Sequence, residues 1–348
     1  MAYSEQNPIG LNGVDFLEYS GSDGKHFEEL FDRLGFQKVG VSPQPNIALY
    51  RQGDINFILN TSQGGFAEDF QRAHGPSICS TGFRVFDATL AFEEAVRRGA
   101  KPYTGNDKKK GATPFPAVYG IGDSLIYFMD SKNTEHLYKD IFKSDQAPEV
   151  VGHGLKLVDH FTNNVPKGEM QKWCDFYTEV FNFRETRYFD IKGKMTGLFS
   201  KVMRSPCGQF SVPINEPSEG KSQIQEYLDE YKGSGIQHVA LLSNGIVPAL
   251  DSLLSRKVEF LTPPPKTYYT MLKERLPKVT EDLTALEKRA ILVDGDDKGY
   301  LLQIFTKNLV GPIFFEIIQR KGHDGFGDGN FQALFDAMER DQMERGYL

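Results

Sequence analysis

Cysteine is scarce, with Cys79, Cys174 and Cys207 the only three in 348 residues. They form no CxxC pair, and an odd number cannot all cross-link within one chain. Neither a disulfide framework nor a cysteine zinc site is supported, and reduced thiols in a cytoplasmic protein are the expectation. No run of about 18 apolar residues is present, which argues against a membrane-spanning helix. The opening stretch MAYSEQNPIGLNG has no basic segment leading into an apolar one, so a secretory signal is not expected. An excess of positive charge is also missing: 40 Lys+Arg stand against 47 Asp+Glu, for a formal net charge of −7. Without surplus cations to displace counterions from phosphates, nucleic-acid binding is not expected.

Apolar material is plentiful. Hydrophobic residues make up 39% of the chain and aromatics 12%, enough to build real cores. With 27 Phe, 15 Tyr, 34 Gly and 18 Pro, the composition favours many short strands separated by turns over a helical bundle. At roughly 100–200 residues per domain, the length favours two domains.

The chain repeats itself. Val14-Asp15-Phe16, followed by the amphipathic stretch 26–34, matches Val158-Asp159-His160, followed by 169–180. A second pair aligns Ser80–Lys101 with His238–Glu259 at a constant offset of 158, each a strand leading into a helix. The helical faces are marked by Leu90, Ala91, Ala95 and Val96 in one copy and Val247, Leu250, Leu253 and Leu254 in the other. Strand-rich stretches follow, ending at Ser124–Met129 and Ile313–Ile318. Two related halves are expected, joined by a polar, Pro-containing linker at Ser144–Val150. Where the second half carries His160 and His238, the first carries Phe16 and Ser80.

The seven histidines differ in their surroundings. His26 and His136 lie in charged helical segments and are expected to face solvent. His74 and His323 lie in Gly-containing loops, where a surface or turn role is the default. His153, between two glycines, is ambiguous. His160 and His238 stand inside β-like apolar runs, 155–161 and 236–242, where a buried imidazole needs a partner for its nitrogens. The bland alternative for either alone is a core histidine bonded to backbone. Glu316, within IFFEII at 313–318, favours chemistry instead, because a carboxylate in an apolar strand costs several kcal/mol unless its charge is compensated. An edge strand with Glu316 facing water fits poorly, since the run is apolar on both faces. Two imidazoles and one carboxylate on three strands are the donor set of a facial-triad Fe(II) site, with a His₂Glu zinc site as the competitor.

The residues also carry a resemblance. VDHFTNNV at 158–165, PINEP at 213–217, SQIQEYLDEYKGSGIQHVAL at 222–241, KGYLLQIFTK at 298–307, FFEIIQR at 314–320 and GFGDGNFQALF at 325–335 resemble the bacterial 4-hydroxyphenylpyruvate dioxygenases of the vicinal-oxygen-chelate superfamily. In the first half, GVDFLEY at 13–19 and the 74–101 stretch fit more loosely. The resemblance implies an α+β fold of two related open β-barrels built from βαβββ modules. Residues 1–145 would form a scaffold barrel without metal ligands, and 151–348 a catalytic barrel with a terminal helix from about 330. It places one Fe(II) per subunit on His160, His238 and Glu316, with O₂ as co-substrate. Its substrate pocket falls on Ser200, Asn215, Gln223, Gln237, Gln303 and Asn330, with Phe305, Phe314, Phe326 and Phe331 as the aromatic wall. Alternation along 301–306 puts Gln303 and Phe305 on one face, suited to a phenol, whereas Gln237 should point away from the face carrying His238. The terminal helix, with Phe331, Leu334, Phe335 and Met338 at helical spacing, would close over the site through a flexible 325–329 loop.

The implied reaction is decarboxylation of 4-hydroxyphenylpyruvate, ring hydroxylation and side-chain migration to homogentisate, within tyrosine and phenylalanine breakdown. A homodimer or homotetramer in the cytoplasm, without nucleic-acid or membrane partners, is expected. The nearest rival is hydroxymandelate synthase, which shares substrate and metal; Phe305 and the intact PINEP segment lean away from it. A metal-free small-molecule-binding protein of the same fold would leave Glu316 unexplained, and a glyoxalase-like lyase would need no O₂.

Overall fold

The apolar runs of each half assemble into one mixed β-sheet apiece. The computed structural model describes residues 3–105, 115–144, 149–262 and 264–348. The expected linker Ser144–Val150 falls partly, at 145–148, outside the described residues. The first sheet comprises β1 (Leu11–Ser20), β2 (Gln37–Val41), β3 (Ile47–Gln52), β4 (Ile55–Asn60), β5 (Ser77–Val85), β6 (Ala117–Tyr119) and β7 (Leu125–Met129), ordered β2-β3-β4-β1-β5-β7-β6. The second comprises β8 (Leu155–Asn164), β9 (Arg184–Lys192), β10 (Gly197–Arg204), β11 (Ser211–Pro217), β12 (Gly235–Ser243), β13 (Leu292–Gly295), β14 (Tyr300–Phe305) and β15 (Phe314–Lys321), ordered β13-β14-β15-β12-β8-β11-β10-β9. Each sheet is built around an antiparallel pair, β1–β5 or β8–β12, flanked by parallel partners.

The helices are α1 (Gly24–Arg33), α2 (Phe66–His74), α3 (Ala88–Arg97), α4 (Ser131–Glu135), α5 (Met170–Phe181), α6 (Gln223–Tyr231), α7 (Ile246–Ser255), α8 (Lys266–Arg275), α9 (Leu283–Lys288) and α10 (Asp328–Glu344). No described helix is long and apolar enough to cross a membrane. Caps fix several starts: Asp23 accepts from the His26 N–H, Asp87 from Leu90 and Ser222 from Gln225. The duplicated helices bury Ala88, Ala91 and Ala95 in α3, and Ile246, Ala249, Leu250 and Leu253 in α7. Leu90 and Leu254, expected on those faces, point outward instead, because the stripe that meets each sheet is centred one step around the helix. The whole is an α+β chain of βαβββ modules. In the second half α8 and α9 stand between α7 and β13.

The repeat extends to irregularities in strand pairing. Ala240 pairs with His160 but Leu241 pairs with Val158, so Asp159 is an extra residue bulged out of β8. Ile236 pairs with Asn163 and His238 with Thr162, which makes Gln237 the extra residue of β12. In the first sheet the same shifts make Asp15 the bulge of β1 and Cys79 that of β5. Asp15 corresponds to Asp159, and Cys79 to Gln237, in the sequence repeat. The two copies therefore share backbone devices as well as topology.

What fills the two copies differs. In the second sheet His160, Ala240 and Glu316 form one row across β8, β12 and β15. The equivalent row across β1, β5 and β7 is Phe16, Gly82 and Tyr127. The Phe16 and Tyr127 rings lie 6.0 Å apart, within a buried apolar cluster that also holds Ile47, Leu49 and Phe115. The Phe16 ring lies over Gly82, where a Cβ would stand 2.5 Å from it. Gly82→Ala should accordingly destabilise the protein by about 1–3 kcal/mol through overpacking, read as a lowered urea midpoint by far-UV circular dichroism.

Candidate metal centre

The row His160–Ala240–Glu316 places two long donors on either side of a methyl group, and His238 lies two residues from Ala240 along the same strand. Strands about 4.8 Å apart let these side chains lean together over the small residue between them. The donor atoms of His160, His238 and Glu316 all lie within 4.8 Å of one another, and all three residues are buried. The Nε2 atoms of His160 and His238 stand 3.3 and 3.6 Å from Glu316 Oε2. β15 is an internal strand, so Glu316, 1% exposed, has no route to water of the kind an edge strand offers.

The bulges orient the ligands. Asp159 Oδ2 accepts from His160 Nδ1 at 2.7 Å, and Gln237 Oε1 accepts from His238 Nδ1 at 3.2 Å. Each histidine thus gives its Nδ1–H to the residue before it and keeps Nε2 for the centre, the arrangement that fixes the tautomer of metal-binding imidazoles. Thr162 Oγ1 lies 3.0 Å from His238 Nε2. Glu316 Oε1 accepts from Gln303 Nε2 at 2.9 Å, leaving Oε2 to the histidines. Two imidazole Nε2 atoms and one carboxylate oxygen converge, and among the described residues no lysine or arginine pairs with Glu316. This donor set fits a divalent cation with open coordination positions.

Electrostatics reinforce the point. Burial opposes charge on His160, but the Glu316 and Asp159 carboxylates outweigh it and push its pKa up to about 9. His238 is held well below the usual imidazole range by burial and then by its charged neighbour His160. Asp159 is buried too, yet the Arg320 guanidinium, bonded to it through Nε (2.7 Å) and Nη2 (2.8 Å), carries it well below the usual carboxylate range. A position flanked by Glu316 that draws positive charge is what a cation would occupy.

The centre opens on a cavity whose lining includes Ser200, Asn215, Gln303, Phe305, Phe326 and Phe331. Phe189, from β9, also lines it and had not stood out in the sequence. Ser200 and Asn215 are paired across β10 and β11; Ser200 Oγ and Asn215 Oδ1 have no protein partner. The other four expected pocket residues, Phe314, Asn330, Gln223 and Gln237, are not among the residues that line it. Phe314 stacks on His238 at 4.7 Å. Asn330 donates to Gln303 Oε1 at 2.8 Å and so aims the Gln303 amide. Gln223 and Gln237 instead line a different cleft, with Lys307, Met338 and Arg345. Gln237, expected to point away from His238, touches it because the bulge breaks the period of two.

The terminal helix α10 covers the cavity with Phe331 and Leu334. The 325–329 loop, expected to be flexible, is tied down: Arg320 Nη1 donates to Gly325 O, Gln303 to Phe326 O, and Gly329 N–H to Asp294. Of the remaining histidines, His26 and His136 are exposed. His74 ends α2 and stacks on Tyr231, with Nδ1 2.9 Å from Tyr231 O. His153 Nε2 lies 3.1 Å from Arg33 O. His323, for which a surface or turn role was expected, is buried in its loop and takes the turn role, with Nδ1 accepting from Gly325 N–H. Sequence patterning missed Asp159, Thr162 and Arg320; the signal for Asp159 was its equivalence to Asp15 in the repeat.

Known proteins align with both halves. A family model described as hydroxyphenylpyruvate dioxygenase, HPPD, N-terminal, matches residues 5–145. One described as glyoxalase/bleomycin resistance protein/dioxygenase superfamily matches 157–304. Protein MelA of Shewanella colwelliana is 50% identical over 348 residues, covering 99% of each chain. The 4-hydroxyphenylpyruvate dioxygenase of Legionella pneumophila (strain Corby) is 46% identical over 345 residues, covering 98% of each. A solved structure of a mutant 4-hydroxymandelate synthase from Streptomyces coelicolor superposes with a TM-score of 0.82 at 25% identity, covering 96% of this chain and 99% of that one.

Removing a donor and blocking the space between donors should have the same consequence. Glu316→Ala is expected to unfold cooperatively yet fail to retain stoichiometric Fe(II) through anaerobic gel filtration, as read by metal analysis. Ala240→Leu, which keeps all three donors, is expected to lose the metal as well, because its side chain fills the gap they lean across.

Proposed function

The chain belongs to the 4-hydroxyphenylpyruvate dioxygenase family, and on that premise we propose that it converts 4-hydroxyphenylpyruvate and O₂ to homogentisate and CO₂. The observation that carries this reading is the buried His160–His238–Glu316 cluster opening on a phenylalanine-lined cavity with a paired, unsatisfied serine and asparagine. His160, His238 and Glu316 would hold Fe(II), which when bound supplies the redox chemistry that joins O₂ to a 2-oxo acid. The division of labour follows the repeat: 1–145 as scaffold, 151–348 as catalytic domain.

The chain's own residues set position and exclude water. Asn215 gives its Nδ2 to Asn164 Oδ1 at 3.1 Å, so its Oδ1 is left as an acceptor beside the Ser200 hydroxyl. An acceptor next to a hydroxyl is the complement of a phenol, which donates to one and accepts from the other. Phe189, Phe305, Phe326 and Phe331 supply apolar walls for the ring. Gln303, held by Asn330 and bonded to Glu316, keeps the carboxylate turned toward the histidines. Phe331 and Leu334 of α10 close the cavity, which keeps water from the reacting centre. Three free thiols, two of them buried, accord with a reducing cytoplasm. Assembly as a homodimer or homotetramer belongs to the same reading and is measured by sedimentation.

Anaerobic loading with Fe(II), followed by oxygen-electrode assay with 4-hydroxyphenylpyruvate, tests the reaction. Homogentisate by NMR and mass spectrometry is the expected product. 4-Hydroxymandelate would reassign the chain to the synthase activity, and absence of oxygen uptake would favour a binding protein. Asn215→Ala removes one hydrogen bond to the substrate, a cost of about 1–1.5 kcal/mol, so kcat/KM should fall roughly tenfold.

A further inference from the structure

Arg320 stands at the end of β15, four residues beyond Glu316. Its guanidinium faces two ways. Nε and Nη2 hold both oxygens of Asp159, whose Oδ2 also accepts from His160 Nδ1. Nη1 donates to His323 O at 3.0 Å and Gly325 O at 2.6 Å, two carbonyls of the segment that leads into α10. The same cation lies 5.6 Å from the centre of the Phe326 ring. Phe326 in turn packs edge-on against His160, with centroids 5.0 Å apart, and lines the cavity. Arg320, Asp159, His160 and Phe326 thus close a ring of contacts.

Only a planar fork of donors can make this set of bonds. A guanidinium presents five N–H groups in fixed directions and can span a carboxylate and two carbonyls together, whereas an ammonium is a compact point charge on a flexible stem. The first sheet shows what the arrangement adds. There the equivalent aspartate, Asp15, is bonded by Arg84 from β5, by Tyr138 and by Thr134 beyond β7, and Phe16 replaces the histidine. The aspartate bulge thus ties down the segment after the last strand in both copies, and in the second copy it also orients a metal ligand.

We propose that Arg320 is a positioning residue that couples the orientation of His160 to the seating of the 322–327 segment and Phe326, so that the ligand is aligned only while the cover is in place. This rests on the proposed Fe(II)-dependent reaction but is read by measurements independent of it. When the segment lifts, the guanidinium loses two carbonyls and the ring beneath it, and the support behind Asp159 loosens with them. The enzyme then holds its ligand geometry best in the closed, water-excluding state.

Arg320→Gln and Arg320→Lys test this, with Lys keeping the charge beside Asp159 should Gln fail to fold. In the full-length protein without added metal, backbone hydrogen exchange over 322–327 should quicken in either variant while β12 and β15 stay protected. Fe(II) affinity should fall about 10–100-fold, the usual cost of removing a group that orients a metal ligand. In turnover, oxygen consumed per homogentisate formed should rise above one, because an open site lets the oxidation miss the ring. A folded variant with wild-type exchange over 322–327 and wild-type Fe(II) affinity would overturn the proposal. If the wild-type protein makes no homogentisate, the reaction assignment fails, and the exchange and affinity measurements still decide the role of Arg320.

Discussion

Glu316 sits on an internal strand, away from water and without a lysine or arginine partner among the described residues. Left alone, a carboxylate there would cost several kcal/mol. The surroundings are arranged to compensate one oxygen and to leave the other in need. Gln303 satisfies Oε1, Asn330 holds Gln303, and two imidazoles present Nε2 to Oε2. The demand for a cation is therefore built into the sheet, and the small side chain of Ala240 makes the space for it.

Why the second half bears this demand and the first does not is visible in single rows of the two sheets. His160–Ala240–Glu316 and Phe16–Gly82–Tyr127 occupy equivalent places on equivalent strands. Replacing two donors by aromatic rings and shrinking the central residue turns a polar hollow into packed core. The rest of the module is retained, down to the bulges at Asp15 and Cys79. Fold and chemistry are separable here: the backbone can hold either a metal centre or a hydrophobic plug.

The three donors were legible in the sequence because polar residues inside apolar strands are costly and therefore conspicuous. The repeat was legible because its second pair of segments keeps one offset, 158, through a strand and the helix after it. The supporting residues were not, for particular reasons. Asp159 and Gln237 adjoin the histidines, and alternation assigns neighbours to opposite faces. The bulges cancel that rule locally and bring each side chain back to the imidazole beside it. Arg320 ends a strand, where a charge ordinarily reads as solvated. His323 is the loop residue its context suggests, but nothing in KGHDGFG shows that Arg320 draws the segment inward and buries it. Leu90 and Leu254 illustrate a milder error: helical spacing identifies a face, but the sheet decides which edge of that face is covered.

The plugged first copy also bears on how the chain responds to ligand. With Phe16 and Tyr127 packed where the second half holds two donors, the described residues of that copy supply no second cluster of metal donors, so a titration with metal should show one class of sites per polypeptide. Any sigmoidal response would then have to arise between copies of the chain, because among the described residues each copy carries one responsive centre.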